Sequence, residues 1–133
     1  MSSQNVELVD RALREFITSR RPSDLIAPDS VWDMSGFRGW PDLAEYRGND
    51  GFLEFFAKWT EPHDAWDMDV EQLVDAGGNR VVAVQHQRGR LKGGESWVDL
   101  RFAVVYTLAD GLVRRMQVFA TPEEAFEAAR MPE

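Results

Sequence analysis

Val6, Val9, Leu13, Phe16 and Ile17 recur at the spacing of one helix face, with Glu7, Asp10, Arg11 and Arg14 on the others. Asn5 or Ser3 supplies an oxygen for the free amides at the start of this helix. Arg21-Pro22 ends it, because proline brings no N–H to the ladder and restricts the residue before it. Ser23 to Ala27 reads as a helical turn closed by Pro28, and Val31 to Ser35 as a short strand. A loop with Gly36, Gly39, Pro41 and Gly48 follows, carrying Phe37, Trp40 and Tyr46. Aromatic rings in such a loop fold back over a core or a pocket mouth, since exposing them forfeits burial energy. Asn49 or Asp50 caps a second helix, where Phe52, Phe55, Phe56 and Trp59 fall at i, i+3, i+4 and i+7 on one aromatic face.

The period then changes from helix to strand. Trp66, Met68 and Val70 alternate with Asp67, Asp69 and Glu71, the pattern of a half-buried strand. Gly77-Gly78-Asn79 turns the chain into a long strand from Arg80 to Leu91, and Lys92-Gly93-Gly94-Glu95 closes a hairpin with Ser96 to Leu108. Asp110-Gly111 leads into a last strand from Leu112 to Ala120. Thr121-Pro122-Glu123-Glu124 is a capping box with proline at the first helical position, and it opens a terminal helix. Strands gathered into one antiparallel meander, apart from the helices, predict an α+β domain with a bent sheet wrapped around the first helix. Nothing divides residues 1–133 into a second domain or a repeat.

Composition narrows the partners. Fifteen basic against twenty-three acidic residues leave a net charge of −8, which opposes nucleic acid and anionic membranes. No run approaches the roughly 20 apolar residues of a membrane span, and no signal-peptide core is present, so a soluble, cytoplasmic protein is expected. With no cysteine and two widely spaced histidines, thiolate chemistry is excluded and a metal site has no signature. No phosphate-binding loop or dinucleotide fingerprint occurs either. No cofactor is expected. His63, in Glu61-Pro62-His63-Asp64, reads as a loop residue.

The long hairpin carries the strongest polar constellation. A two-residue turn at Gly93-Gly94 sets His86 opposite Arg101 and Arg88 opposite Asp99, on one side of the sheet with Val84, Trp97 and Ala103. Inside a pocket, Asp99 serves as base, His86 as proton shuttle and Arg101 as the stabiliser of developing negative charge. On the opposite face, the same residues form a ladder of ion pairs turned to solvent or to a second subunit. Register and face decide between the two.

Order and local motifs together resemble the SnoaL-like families of the nuclear transport factor 2-like superfamily. The resemblance rests on Tyr46-Arg47-Gly48, Asp75-Ala76-Gly77-Gly78-Asn79-Arg80-Val81-Val82, Tyr106-Thr107-Leu108-Ala109-Asp110-Gly111-Leu112-Val113 and Pro122-Glu123-Glu124-Ala125-Phe126-Glu127-Ala128. The superfamily includes ketosteroid isomerases, polyketide cyclases, epoxide hydrolases, dehydratases and binding modules, so the resemblance implies a fold and leaves the chemistry open. It implies a cone-shaped α+β roll with a deep apolar pocket for a small apolar molecule, dimeric through its open sheet face. Aligned on the Asp110-Gly111 turn, the pocket Asp of related isomerases falls on Ala103, which puts Asp99 and Arg101 on the cavity side. Alanine cannot move a proton, and Asp99-Leu100-Arg101 reverses the Arg-x-Asp order of the epoxide hydrolases. Asp42 lies roughly where ketosteroid isomerases hold their base, and after Pro41 it also suits a turn or cap. The pocket wall expected from all this is Trp40, Asp42, Tyr46, Phe56, Trp59, Arg88, Trp97, Ala103, Met116 and Val118.

Overall fold

Helix α1 (Ser3–Ser19), strand β1 (Ile26–Asp33), strand β2 (Glu45–Arg47) and helix α2 (Gly48–Thr60) come first in the chain. Strands β3 (His63–Gly77), β4 (Arg80–Leu91), β5 (Trp97–Ala109) and β6 (Leu112–Phe119) follow, then helix α3 (Pro122–Arg130). The computed structural model describes residues 3–130. All six strands form one curved, unclosed sheet in the order β2-β1-β6-β5-β4-β3. Among the described residues only the β1–β6 pair is parallel. At the β5–β6 turn, Asp110 and Gly111 have φ of 56° and 77°, the double left-handed conformation that matches the twist of a tight hairpin.

Strand alternation builds two cores. Val81, Ala83, Phe102, Val104, Tyr106, Met116 and Val118 face α1 and α2, where Val9, Leu13 and Phe55 meet them. Val82, Val84, Ala103 and Val105 face the other way, under Ala125 and Ala129 of α3. Covering both faces of the central strands explains why Val81-Val82-Ala83-Val84 is continuously apolar, a pattern of doubly buried strands. Thr121 caps α3 as its sequence predicts: its hydroxyl accepts from the Glu124 amide at 3.2 Å and donates to the Glu124 carboxylate at 3.0 Å.

The first half of the chain departs from its sequence pattern in four places. Residues 26–27 belong to β1 and not to a helical turn, and the β1–β6 register breaks between Ile26 and Val31, around Pro28, which has no N–H for the ladder. Glu45–Arg47, expected as loop, pairs with β1 as a third strand at that edge. Helix α2 starts at Gly48 after an extended Arg47 that lends no side-chain cap, so neither Asn49 nor Asp50 caps it. Likewise α1 begins two residues before Asn5, which therefore lies in its first turn; a cap from the Ser3 side chain lies outside the described residues. No helix among the described residues is long and apolar enough to cross a membrane.

Candidate functional site

Between the concave sheet face and the two N-terminal helices lies a cavity of about 60 Å³. Its wall is largely aromatic: Phe16 from α1, Trp32 from β1, Phe52, Phe55, Phe56 and Trp59 from α2, Trp66 from β3 and Phe102 from β5. Helical spacing delivers the four α2 rings to one side, and each touches another: Phe55–Trp59 at 5.5 Å between centroids, Phe52–Phe56 stacked at 6.1 Å. Trp32 and Phe55 approach to 4.9 Å and tie β1 to α2.

One polar pair closes the cavity floor. Gln85 Nε2 donates to the Tyr106 hydroxyl at 3.2 Å, both side chains buried among apolar neighbours. A phenol has one proton and two lone pairs. The amide fills a lone pair, and no described bond uses the proton, so the floor offers a donor to a guest. Burial pushes the Tyr106 phenol above its ordinary pKa, with the Gln85 bond opposing more weakly, so it stays protonated at neutral pH.

Beside the cavity is a wider, open cleft of about 630 Å³, walled by Phe37, Trp40, Trp59 and Leu100 and edged by Asp42, Lys58, His63 and Gln87. Trp59 is a wall of both spaces. Lys58 Nζ lies 2.7 Å from Asp42 and 3.2 Å from Glu54. Hydrogen bonds from Lys58 and from the Leu43 amide hold the Asp42 carboxyl below the usual range, and the same pair pushes Lys58 up to about 12. Asp42 is thus a paired anion, which makes it a weak base.

His63 opens β3, and its ring lies over Gly89 of the neighbouring strand: a Cβ on Gly89 would stand 2.3 Å from His63 Cδ2. The glycine makes room for the imidazole, and the buried His63 Nδ1 has no hydrogen-bond partner among the described residues. Gln87 is more completely used at one end. Its Oε1 accepts from Trp59 Nε1 at 2.6 Å and from Trp66 Nε1 at 3.0 Å, pinning α2 and β3 to β4.

The SnoaL-like domain model matches residues 12–116, which is most of the chain and all of the cavity wall except Val118. The chain belongs to the SnoaL-like domain family. Solved structures extend the likeness over the whole fold. Bal32a from a soil-derived mobile gene cassette superposes with a TM-score of 0.74 at 15% identity, 98% of each chain being covered. TerC, crystallised with polyporic acid, gives 0.71 at 19% identity, over 96% of this chain and 99% of that one. A putative SnoaL-like polyketide cyclase from Jannaschia sp. CCS1 gives 0.64 at 21% identity, over 98% and 94%. No functionally curated protein matches. At these identities the structures share the fold alone.

Within this SnoaL-like domain the expected residues divide. Phe56, Trp59, Met116 and Val118 line the cavity, while Trp40 and Asp42 line the cleft with Trp59. Tyr46 lies behind them in the core, its hydroxyl accepting from Trp40 Nε1 at 3.2 Å. The hairpin register is as expected, with His86 opposite Arg101 and Arg88 opposite Asp99. Its face is not. Gln85, Gln87, Phe102 and Tyr106 point to the cavity or cleft, so by strand alternation His86, Arg88, Trp97, Asp99, Arg101 and Ala103 point away. Ala103 packs under α3. His86 Nε2 sits 3.0 Å from Asp99 and Arg101 Nε 2.7 Å from Glu71, with Arg88 over the Trp97 ring at 4.8 Å. This is the ladder of ion pairs on the outer surface, where half-exposed pairs contribute little to stability. The placement of Asp99 and Arg101 on the cavity side is therefore corrected. His63 likewise belongs to a strand, at the cleft, and not to a loop. Sequence reasoning missed Gln85, Gln87 and Tyr106. One signal was available: both glutamines fall in phase with Val81 and Ala83 on β4, where a polar residue needs a buried partner.

Proposed function

We propose that this SnoaL-like domain binds a flat, ring-bearing, mostly apolar small molecule, presenting one acceptor atom to Tyr106. The observation that carries this is the cavity's chemistry: eight aromatic residues around a floor whose one phenolic proton meets no acceptor among the described residues, with about 60 Å³ of space that one end of a guest enters as the surrounding side chains give way. Apolar walls with a few placed polar groups are the usual composition of a ligand site. The co-crystallised polyporic acid of TerC and the cyclase label of the Jannaschia protein fit a guest of this type. Apart from Tyr106, the cavity wall holds no ionisable side chain. That favours binding over proton transfer, and any base for turnover has to come from the cleft, where Asp42 and His63 stand.

The test is 2-acetylnaphthalene binding followed by tryptophan fluorescence. Changing Tyr106→Phe removes only the hydroxyl, and one lost hydrogen bond of about 1.4 kcal/mol weakens binding about tenfold. Equal affinity in wild type and variant rules out the floor as the polar contact, and no binding to either rules out the pocket reading.

For the sheet's outer face we propose a homodimer contact, since Trp97 there is 44% exposed beside the half-exposed ladder. Light scattering should return twice the chain mass, and Trp97→Glu should return the single-chain mass. A wild-type protein at the single-chain mass at tens of micromolar ends that reading.

A further inference from the structure

The deepest constraint outside the floor is at Gln87, and it fixes which end of an amide faces the cleft. An indole nitrogen is only a donor, so the Gln87 atom meeting both Trp59 and Trp66 has to be the carbonyl oxygen. Two donors from two different elements, α2 and β3, leave no rotation by which the amide could be reversed. Nε2 is consequently held at the other end, and Gln87 lines the cleft and not the cavity. Among the described residues no acceptor meets Nε2, although the side chain as a whole is only 6% exposed. With Oε1 doubly bonded and Nε2 left reachable from the cleft, the amide presents its N–H groups to whatever occupies that space.

The surroundings say what that occupant is. Trp40 and Trp59 approach to 5.7 Å and, with Phe37 and Leu100, offer ring faces and aliphatic surface. The nearby cation, Lys58, is already neutralised by Asp42 and Glu54. A free phosphate or a strongly charged group therefore has no unpaired cation to meet there, whereas a carbonyl oxygen on a ring meets a donor amide between aromatic walls. Trp59 borders both spaces, so a ring system that spans them has to lie against its indole.

We infer that Gln87 is a specificity-determining residue, and that it selects guests carrying a second carbonyl-type oxygen at the end of the ring system opposite the one met by Tyr106. This rests on the pocket reading above and narrows its ligand class to planar dicarbonyl compounds, of which quinones and diketones are examples. Trp59 and Trp66 act through Gln87 as positioning residues, since their indoles set the direction of its amide.

The experiment compares 2-acetylnaphthalene with 2,6-diacetylnaphthalene, which differ by one carbonyl, in wild type and in Gln87→Glu. A glutamate keeps an acceptor for both indoles and loses both N–H donors. In the wild type the second carbonyl should tighten binding about tenfold. In Gln87→Glu at pH 8 that gain should vanish or reverse. Gln87→Leu, which removes the donors without adding charge, serves if the glutamate variant melts too low, and the same loss of gain is expected there. If 2-acetylnaphthalene fails to bind the wild type, the pocket reading falls and this inference with it. If it binds and the gain from the second carbonyl is absent in wild type or survives in both variants, this inference alone is overturned.

Discussion

Replacing Phe55 by alanine should lower the unfolding free energy by about 3–5 kcal/mol and abolish guest binding in whatever folded protein remains. Phe55 is 3% exposed and sits at the centre of the aromatic group. Its ring lies 4.9 Å from Trp32, 5.2 Å from Trp40, 5.5 Å from Trp59 and 5.6 Å from Tyr46. Deleting it removes apolar transfer energy and leaves a void that these four surrounding side chains cannot close without moving. Domains of this kind hold only about 5–15 kcal/mol in total, so one substitution removes a large share. Urea unfolding followed by tryptophan emission measures it, with the denaturant slope unchanged if both states keep their surface. Phe55→Leu should cost less than half as much, because it refills most of the space. A loss below about 1 kcal/mol for the alanine would mean that the rings do not pack as described. The functional consequence follows from the same contacts: Trp40 and Trp59, which wall the cleft, lean on Phe55.

The aromatic group was legible in the sequence because it is local. Phe52, Phe55, Phe56 and Trp59 share a face by helical period, whatever packs against them. The β4–β5 register was legible for a related reason, since a tight turn at Gly93-Gly94 sets every pair above it, and the observed pairs follow that register although the strands end at Leu91 and Trp97. The face was not legible. β4 and β5 are buried on both sides for half their length, so alternation between Val and Ala carries no polarity, and only the arrival of α3 over Ala103 shows which side is outer. The charged group therefore reads as the cavity chemistry, and the two glutamines on the opposite face of β4 go unnoticed. Burial decides otherwise: Gln85 and Gln87 are 2% and 6% exposed, whereas the Asp99 side chain is 59% exposed. The β2 strand was hidden for another reason. Three residues give no period, and Glu45–Arg47 becomes a strand only because β1 offers it an edge.

Arg115→Ala should destabilise the protein by about 2–3 kcal/mol at pH 7, by much less at pH 4, and the loss should be partly restored by adding Asp33→Asn. Asp33 points away from the cavity, opposite to its neighbours Trp32 and Met34, and is 5% exposed. Arg115 Nη2 lies 2.6 Å from its Oδ2, and the Ser35 amide donates to Oδ1 at 2.8 Å. Burial alone would raise the Asp33 pKa, yet the bonds from the Ser35 hydroxyl and amide and from Arg115 outweigh it and hold the carboxyl below its ordinary value. A carboxyl whose folded pKa lies below its unfolded value contributes stability that is present above about pH 4, the unfolded value, and is lost as pH falls through the folded one. Removing Arg115 strands a buried anion. Its pKa then rises, so at low pH the variant takes up a proton and sheds most of the penalty, and its deficit relative to wild type shrinks. Arg115 is itself 37% exposed and also meets Glu45 at 3.3 Å, which keeps the cost below that of a fully enclosed pair. Urea midpoints at pH 7 and pH 4 for wild type, Arg115→Ala, Asp33→Asn and the double variant complete the cycle. A deficit that is the same at both pH values would show that the cost comes from lost packing of the arginine stem, and the ion pair would then have no part in holding β1 to β6.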